Sequence, residues 1–182
     1  MTRNIPIGQL GPADLDAYFQ LRLRGLAEHP EAFGQSHAEA LAKGAAQHEA
    51  MLDGRSAADG NFILGASLSA DGPLVGTIAM VRSPGERKRH RASVVGMYVV
   101  PEASRQGVGR ALLEALLARA VRIDGVRQLE LGVTSTNVAA RRLYESFGFV
   151  AYGREIDALR VGSEYHDADL MVCFITPRVS SS

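Results

Sequence analysis

A second cysteine is missing from this chain of 182 residues, and with it any intramolecular disulfide. Cys173 stands alone inside Leu170-Met-Val-Cys-Phe-Ile175, where it reads as a small buried strand residue. Also missing is any run of about 18 apolar residues, the length a membrane-crossing helix needs. The start, Met1-Thr-Arg-Asn-Ile-Pro6, has no apolar stretch of the kind a secretory signal requires. Net charge is lacking too: 20 Lys and Arg balance 20 Asp and Glu. No overall field therefore draws the chain to nucleic acid or to a membrane surface, and neither is an expected partner. The cytoplasm is the expected compartment. Lysine is confined to Lys43 and Lys88, from which no function follows. His29, His37, His48, His90 and His166 fall in no metal-ligand spacing such as H-E-x-x-H, so no metal is expected. Neither a nucleophile elbow nor a Ser–His–Asp arrangement appears.

What is present is an ordinary globular composition, 46% hydrophobic, in a chain long enough to bury a real core. No repeat, linker or low-complexity segment divides it. Residues 1–177 are expected to form a single domain and 178–182 a disordered tail. Arg3 to Leu10 reads as a first strand. Leu15, Phe19, Leu23 and Leu26 recur at helical spacing between Pro12 and His29. A second helical pattern runs from Ser36 to Leu52, weakened by Gly44. Asn61 to Leu68 and Leu74 to Val81 are strands around the hairpin signal Ala70-Asp-Gly-Pro73. Ser93 to Val100 is a central strand, Val108 to Arg122 a helix, Gln128 to Val133 a strand and Asn137 to Phe147 a helix stopped by Gly148. Two long strands, Val150 to Val161 and Tyr165 to Ile175, turn at Gly162-Ser163.

Chemistry concentrates where the central strand gives way to the next helix. Val94, Val95, Val99 and Val100 stop at Pro101, a polar loop follows, and Gly107-Val-Gly109 opens the run Leu112, Leu113, Leu116, Leu117 and Val121. Amide N–H groups at a helix start have no intrahelical acceptor, and the helix dipole adds positive charge there. Glycines let an anion approach the backbone, so the segment reads as a diphosphate cradle. It is not a P-loop, because Arg110-Ala111 follows Gly109 where Lys and Ser or Thr are required. It is not a dinucleotide fingerprint either, because Leu112 stands at the third glycine position.

The stretch Val99-Val-Pro101-Glu-Ala-Ser104-Arg-Gln-Gly107-Val-Gly109 closely resembles motif A of the GCN5-related N-acetyltransferases, V-x-P-x-x-Q/R-x-x-G-x-G/A. Ser104 departs from it, standing where that family usually has Gln or Arg. Asn137-Val-Ala-Ala-Arg-Arg-Leu143-Tyr-Glu-Ser-Phe-Gly148-Phe resembles motif B, N-x-x-A-x-x-L-Y-x-x-x-G-F. Gly109 and Asn137 lie 28 positions apart (137 − 109), room for one helix, one strand and two loops. Leu21-Arg-Leu-Arg-Gly-Leu26, Pro30-Glu-Ala-Phe-Gly34 and Gly96-Met-Tyr-Val99 look like one subgroup of the same enzymes.

The resemblance implies a mixed α/β (α+β) acyl-CoA N-acyltransferase fold. Its mostly antiparallel seven-stranded sheet, flanked by helices, contains a splayed parallel pair formed by the fourth and fifth strands. It implies acetyl-CoA as cosubstrate, with main-chain groups of Met97, Tyr98 and Val99 along the pantetheine arm. Arg105, Gln106, Gly107, Val108, Gly109 and Arg110 would surround the diphosphate, Asn137 would meet the pantetheine end, and Tyr144 would stand near the sulfur. The expected reaction is direct attack of a primary amine on the thioester in a ternary complex, with Tyr144 as general acid to the departing thiolate. The central strand carries no carboxylate, so the base stays open among Glu31, Asp157, Tyr165, His166 and water. The acceptor stays open as well: a small-molecule amine (polyamine, amino-acid-like or aminoglycoside-type) or a protein or peptide amine. Tyr18, Phe33 and the last strands are expected to shape its pocket. A non-catalytic CoA-binding sensor on the same fold is the alternative. The basic run Glu86 to Arg91 reads as a solvated hairpin tip, and the long final strands suggest a homodimer.

Overall fold

The computed structural model describes residues 5–56 and 60–175. Arg3, Asn4 and the expected tail at 178–182 lie outside them. The elements are β1 (Ile7–Gln9), α1 (Leu15–Glu28), α2 (His37–Lys43), α3 (Glu49–Leu52), β2 (Phe62–Ser67) and β3 (Leu74–Arg82). There follow β4 (Arg91–Val99), α4 (Val108–Ala120), β5 (Gln128–Thr134), α5 (Val138–Glu145), β6 (Val150–Val161) and β7 (Glu164–Phe174). The helix expected over Ser36 to Leu52 is two helices. Ser36 and Glu39 close a reciprocal cap at the start of α2, Glu39 N–H donating to Ser36 Oγ at 3.2 Å and Ser36 N–H to the Glu39 carboxylate at 2.8 Å. The chain leaves α2 at Gly44, and a 3-10 turn over Ala45–His48 leads into α3.

All seven strands join one sheet in the order β1-β2-β3-β4-β5-β7-β6. Every neighbouring pair is antiparallel except β4 and β5. Side chains of β2 alternate between two layers, as a period of two requires. Phe62 and Leu64 join the main core with Ile78, Met80, Leu112 and Leu116, while Ile63 packs with Leu10, Tyr18, Leu52 and Ala79. α4 thus covers one face, and α1 with α3 covers the other. Leu112, Leu113 and Leu116 are wholly buried, and each such side chain contributes about 1.5–3 kcal/mol.

Two irregularities shape β4. Thr77 pairs with Tyr98 but Ala79 with Val95, so three steps on β4 oppose two on β3. The extra residue is taken up at Gly96, whose φ of 63° belongs to the left-handed region. On its other side β4 keeps register with β5 over Arg91↔Gln128, Ala92↔Leu129 and Ser93↔Glu130, and beyond these pairs the strands part. Arg91 Nε donates to Glu130 Oε1 at 2.8 Å and fastens the closed end of this wedge. Burial alone would raise the Glu130 carboxyl, but the Arg91 guanidinium and the Gln128 amide outweigh it and hold the group below the usual carboxylate range. Of the run Glu86 to Arg91, residues 86–90 form the exposed loop between β3 and β4, at this closed end and away from the start of α4, while Arg91 is no part of a solvated tip but opens β4 and pairs with Glu130. Cys173 is a buried residue of β7.

Candidate functional site

The open end of the wedge leads into a cleft of about 450 Å³. β4 lines it with Val94 through Val99, β5 with Gly132 and Val133, and α5 with Ala140 and Tyr144. Tyr18 and Arg22 of α1 with Phe33 and His48 form the opposite wall.

Beyond β4 the chain turns through Pro101–Ala103 and enters α4 at Gly107. Ser104, the departure from motif A, holds this turn by donating its hydroxyl proton to the Pro101 carbonyl at 2.7 Å. Gln106 Nε2 donates to the Glu102 carbonyl at 2.9 Å. The loop then makes two left-handed steps, Arg105 at φ 58° and Gly107 at φ 86°. α4's first hydrogen bond joins Ala111 N–H to the Gly107 carbonyl at 3.0 Å. The N–H groups of Val108, Gly109 and Arg110 therefore lack intrahelical acceptors and form the positive end of a 13-residue helix. The two glycines differ in purpose. A Cβ on Gly107 would meet open space, so its positive φ is what demands glycine. A Cβ on Gly109 would come to 3.0 Å from Met97 Cε, so that glycine leaves room for the Met97 side chain where the helix meets β4. Arg110 is held sideways, with Nη2 donating to Ser146 Oγ at 3.1 Å and the guanidinium 4.9 Å over the Phe147 ring.

Asn137 caps α5, its Oδ1 accepting from Ala140 N–H at 3.1 Å. The oxygen being committed, its –NH2 group is what it can offer to a ligand in the cleft it lines. Tyr144 is buried against Phe149, ring centroids 5.8 Å apart, and its hydroxyl donates to the Met97 thioether at 3.2 Å. A thioether is a weak acceptor. Burial pushes the Tyr144 phenol up to about 12, so it stays protonated near neutral pH. Tyr98 faces the other way: its ring packs on α1 at Gly25, and its hydroxyl donates to the Glu28 carboxylate. Only its main chain can serve a ligand in the wedge.

The candidate bases are scattered. Glu31 lies in the turn after α1 beside His29, 3.5 Å away, and its carbonyl accepts from Thr134 Oγ1 at 2.6 Å. Asp157 occupies an irregular, exposed step of β6 at φ 52°, its N–H donating to the Asp167 carboxylate at 3.0 Å. His166 and Tyr165 of β7 line a separate hollow with Thr136 and Arg154. None of the four lines the cleft that holds Tyr144.

Two residues of the cleft escaped the sequence reading. Arg22 Nη2 donates to Gln35 Oε1 at 2.9 Å, and a Cβ on Gly96 would lie 3.7 Å from Arg22 Nη1, which places the guanidinium beside the β4 bulge. His48 stacks edge-on against Tyr18 with centroids 5.1 Å apart. Burial, with the Arg22 charge adding to it, lowers the imidazole to about 4. Burial raises the Tyr18 phenol, an effect Arg22 partly offsets. Arg22 lies in the stretch Leu21-Arg-Leu-Arg-Gly-Leu26 that resembles one subgroup, but no role followed from it there and no motif marks His48; only the folding of α1 and the turn before α3 over β4 brings the two together. Among the described residues no group of three or more His, Cys, Asp or Glu is placed to hold a metal ion.

The sequence model of the acetyltransferase (GNAT) family matches residues 28–149, spanning both the cradle and α5. The ribosomal protein bS18-alanine N-acetyltransferase of Escherichia coli (strain K12) is 47% identical over 58 residues, which cover 32% of this chain and 38% of that protein. Mycothiol acetyltransferase of Acidothermus cellulolyticus is 33% identical over 155 residues, 79% of this chain and 44% of that protein. The chain thus spans less than half the length of either relative. A putative acetyltransferase from Salmonella typhimurium, solved with its cofactor acetyl-CoA, shares the fold at a TM-score of 0.80 and 21% identity over 98% of each chain. With a family match that covers the cradle, the wedge and the capped α5, the chain belongs to the GNAT acetyltransferase family.

Proposed function

We propose that the protein transfers the acetyl group of acetyl-CoA to the primary amine of an acceptor bound in the same cleft. The observation that carries this reading is the wedge: β4 and β5 diverge after Ser93 and Glu130, and the unpaired edge of β4 leads to the free amides at the start of α4. A pantetheine arm can pair with main-chain groups of Met97, Tyr98 and Val99 as an added strand. The diphosphate then meets the N–H groups of Val108, Gly109 and Arg110, with Arg105, Gln106 and Gly107 around it. Asn137 offers its –NH2 group to the inner end of the arm.

The extra residue of β4 at Gly96 lies beside the place the thioester would take, and backbone N–H groups of the Met97 region are the donors this reading assigns to its carbonyl oxygen. Such donors stabilise the oxyanion of the tetrahedral intermediate without rearranging. As the carbon–sulfur bond breaks, the Tyr144 hydroxyl exchanges its weak thioether partner for the developing thiolate and supplies a proton. No carboxylate lines the cleft among the described residues, so water is the favoured carrier of the amine proton. Glu31, Asp157 and His166 could act only after a rearrangement that brings them to the cleft.

The relatives named for acetylation of a ribosomal-protein alanine and of mycothiol keep both protein and small-molecule acceptors in play. Among the described residues no helix is long and apolar enough to cross a membrane, and a cytoplasmic location belongs to this reading. Thiol release from acetyl-CoA, measured across a panel of amines, tests it. Amine-dependent release supports transfer. Binding of acetyl-CoA with no release for any amine would favour the sensor alternative.

A further inference from the structure

We propose that the acceptor is a small, amino-acid-like amine whose own carboxylate is received by Arg22 at the β4 bulge. This inference rests on the transferase reading above and specifies its substrate class. Arg22 lies in the cleft wall, its Nη1 side against Gly96, where the thioester carbonyl would be polarised. A group held there stands within a few bonds of the reacting amine. The guanidinium has only neutral partners: Nη2 reaches Gln35 Oε1 at 2.9 Å and the Tyr18 hydroxyl also accepts from it, while the buried Nε has no partner. The nearby His48 also leaves a buried Nε2 without a partner.

Neutral groups hold Arg22 in place. Gln35 donates to Gln47 Oε1 at 2.9 Å, and Gln47 donates to the carbonyls of Gly44 at 2.8 Å and Ala40 at 3.2 Å. Arg22 makes no ion pair among the described residues, in contrast to Arg24 two positions on, which pairs with Glu28 and Glu102. A positioned guanidinium with only neutral partners favours an anionic one, and its planar fork suits a carboxylate. Polyamines and aminoglycosides would bring further positive charge to a wall that offers them no carboxylate.

The test is acetylation by the full chain of the twenty amino acids, each beside its carboxamide, with spermidine, kanamycin and an alanine-initiated peptide as competitors. One or more free amino acids should be acetylated with kcat/KM roughly 10–100-fold above that of the carboxamide, the worth of a lost charge-assisted hydrogen bond. Arg22→Gln should raise KM for the amino acid more than it lowers kcat, erase the acid-over-amide preference and leave calorimetric acetyl-CoA binding unchanged. Arg22→Lys, which keeps the charge and loses the fork, should retain part of the preference. Turnover of spermidine, kanamycin or the peptide in preference to every free amino acid overturns the proposal, as does a panel in which no free amino acid is acetylated. An acid-over-amide preference that survives Arg22→Gln overturns it too. Failure to bind acetyl-CoA at all would instead remove the transferase reading beneath it.

Discussion

At the scale of single residues, Tyr144 and His48 show how position sets chemistry. Burial keeps the Tyr144 hydroxyl protonated, and its thioether partner does not compete strongly for the proton. Tyr144→Phe keeps the ring against Phe149 and removes only the donor. Turnover should fall by about 10²-fold or more, while acetyl-CoA affinity measured by calorimetry stays the same; undiminished turnover would remove the proton-donor role. His48 is neutral in the fold, its imidazole lowered to about 4 from 6.5. Between those values the unfolded chain binds a proton that the folded chain refuses, so the contribution is complete above pH 6.5 and lost as pH falls toward 4. Chemical-denaturation curves at pH 7 and pH 4.5 should show a smaller acid loss of stability for His48→Gln than for the parent protein. Equal losses would mean that His48 does not titrate in this way. Tyr144 was legible in the sequence through its place in a recognisable string. The roles of Arg22 and His48 were not: Arg22 sits in a stretch that resembles one subgroup, but its place in the cleft depends on a bulge of a distant strand being laid beside it.

At the scale of elements, the loop into α4 carries the argument. Gly107 and Gly85 have the same φ of 86° and open space where a Cβ would go, yet one begins the cradle and the other lies in the β3–β4 loop. Valine at either position should cost about 1–2 kcal/mol of stability from left-handed strain alone. Gly107→Val should also weaken acetyl-CoA about tenfold, since refolding the loop need cost only about 1.4 kcal/mol to do so. Gly85→Val should not affect binding. Equal affinities for the two variants would show that the loop's shape is not what holds the diphosphate. Most element ends were readable from hydrophobic period and turn residues: Val150 to Val161 matches β6 at both ends, and Gly162 turns the chain into β7. The helix read through Gly44 was not, because Leu41 and Leu52 keep an apolar rhythm across a position where the backbone leaves the helix. The β4 bulge had one sign in the sequence, the isolated Gly96 between Val95 and Met97, but only the register with β3 shows that a residue is added there.

At the scale of the whole molecule, the sheet explains both the site and its surroundings. β3 holds one side of β4 throughout, while β5 holds the other side only at the end fastened by Arg91 and Glu130. The order and direction of strands followed from the family resemblance, whereas the place where the parallel pair lets go became visible only in the register. At the far edge, β6 leaves Tyr152 and Ile156 exposed, at 57% and 67%. Apolar side chains on an unpaired edge suit strand pairing with a second copy, and we propose a homodimer built there. Light scattering should report a dimer that Ile156→Lys with Tyr152→Lys converts to a monomer; a monomeric parent protein would contradict this. The central claim is that acetyl-CoA lies in the wedge with its diphosphate on the α4 amides, and a crystal structure of the complex tests it most directly. The account predicts diphosphate oxygens within hydrogen-bond distance of the N–H groups of Val108, Gly109 and Arg110, and the thioester between Gly96 and Tyr144. A diphosphate bound elsewhere, or an arm that avoids the gap between β4 and β5, would contradict it.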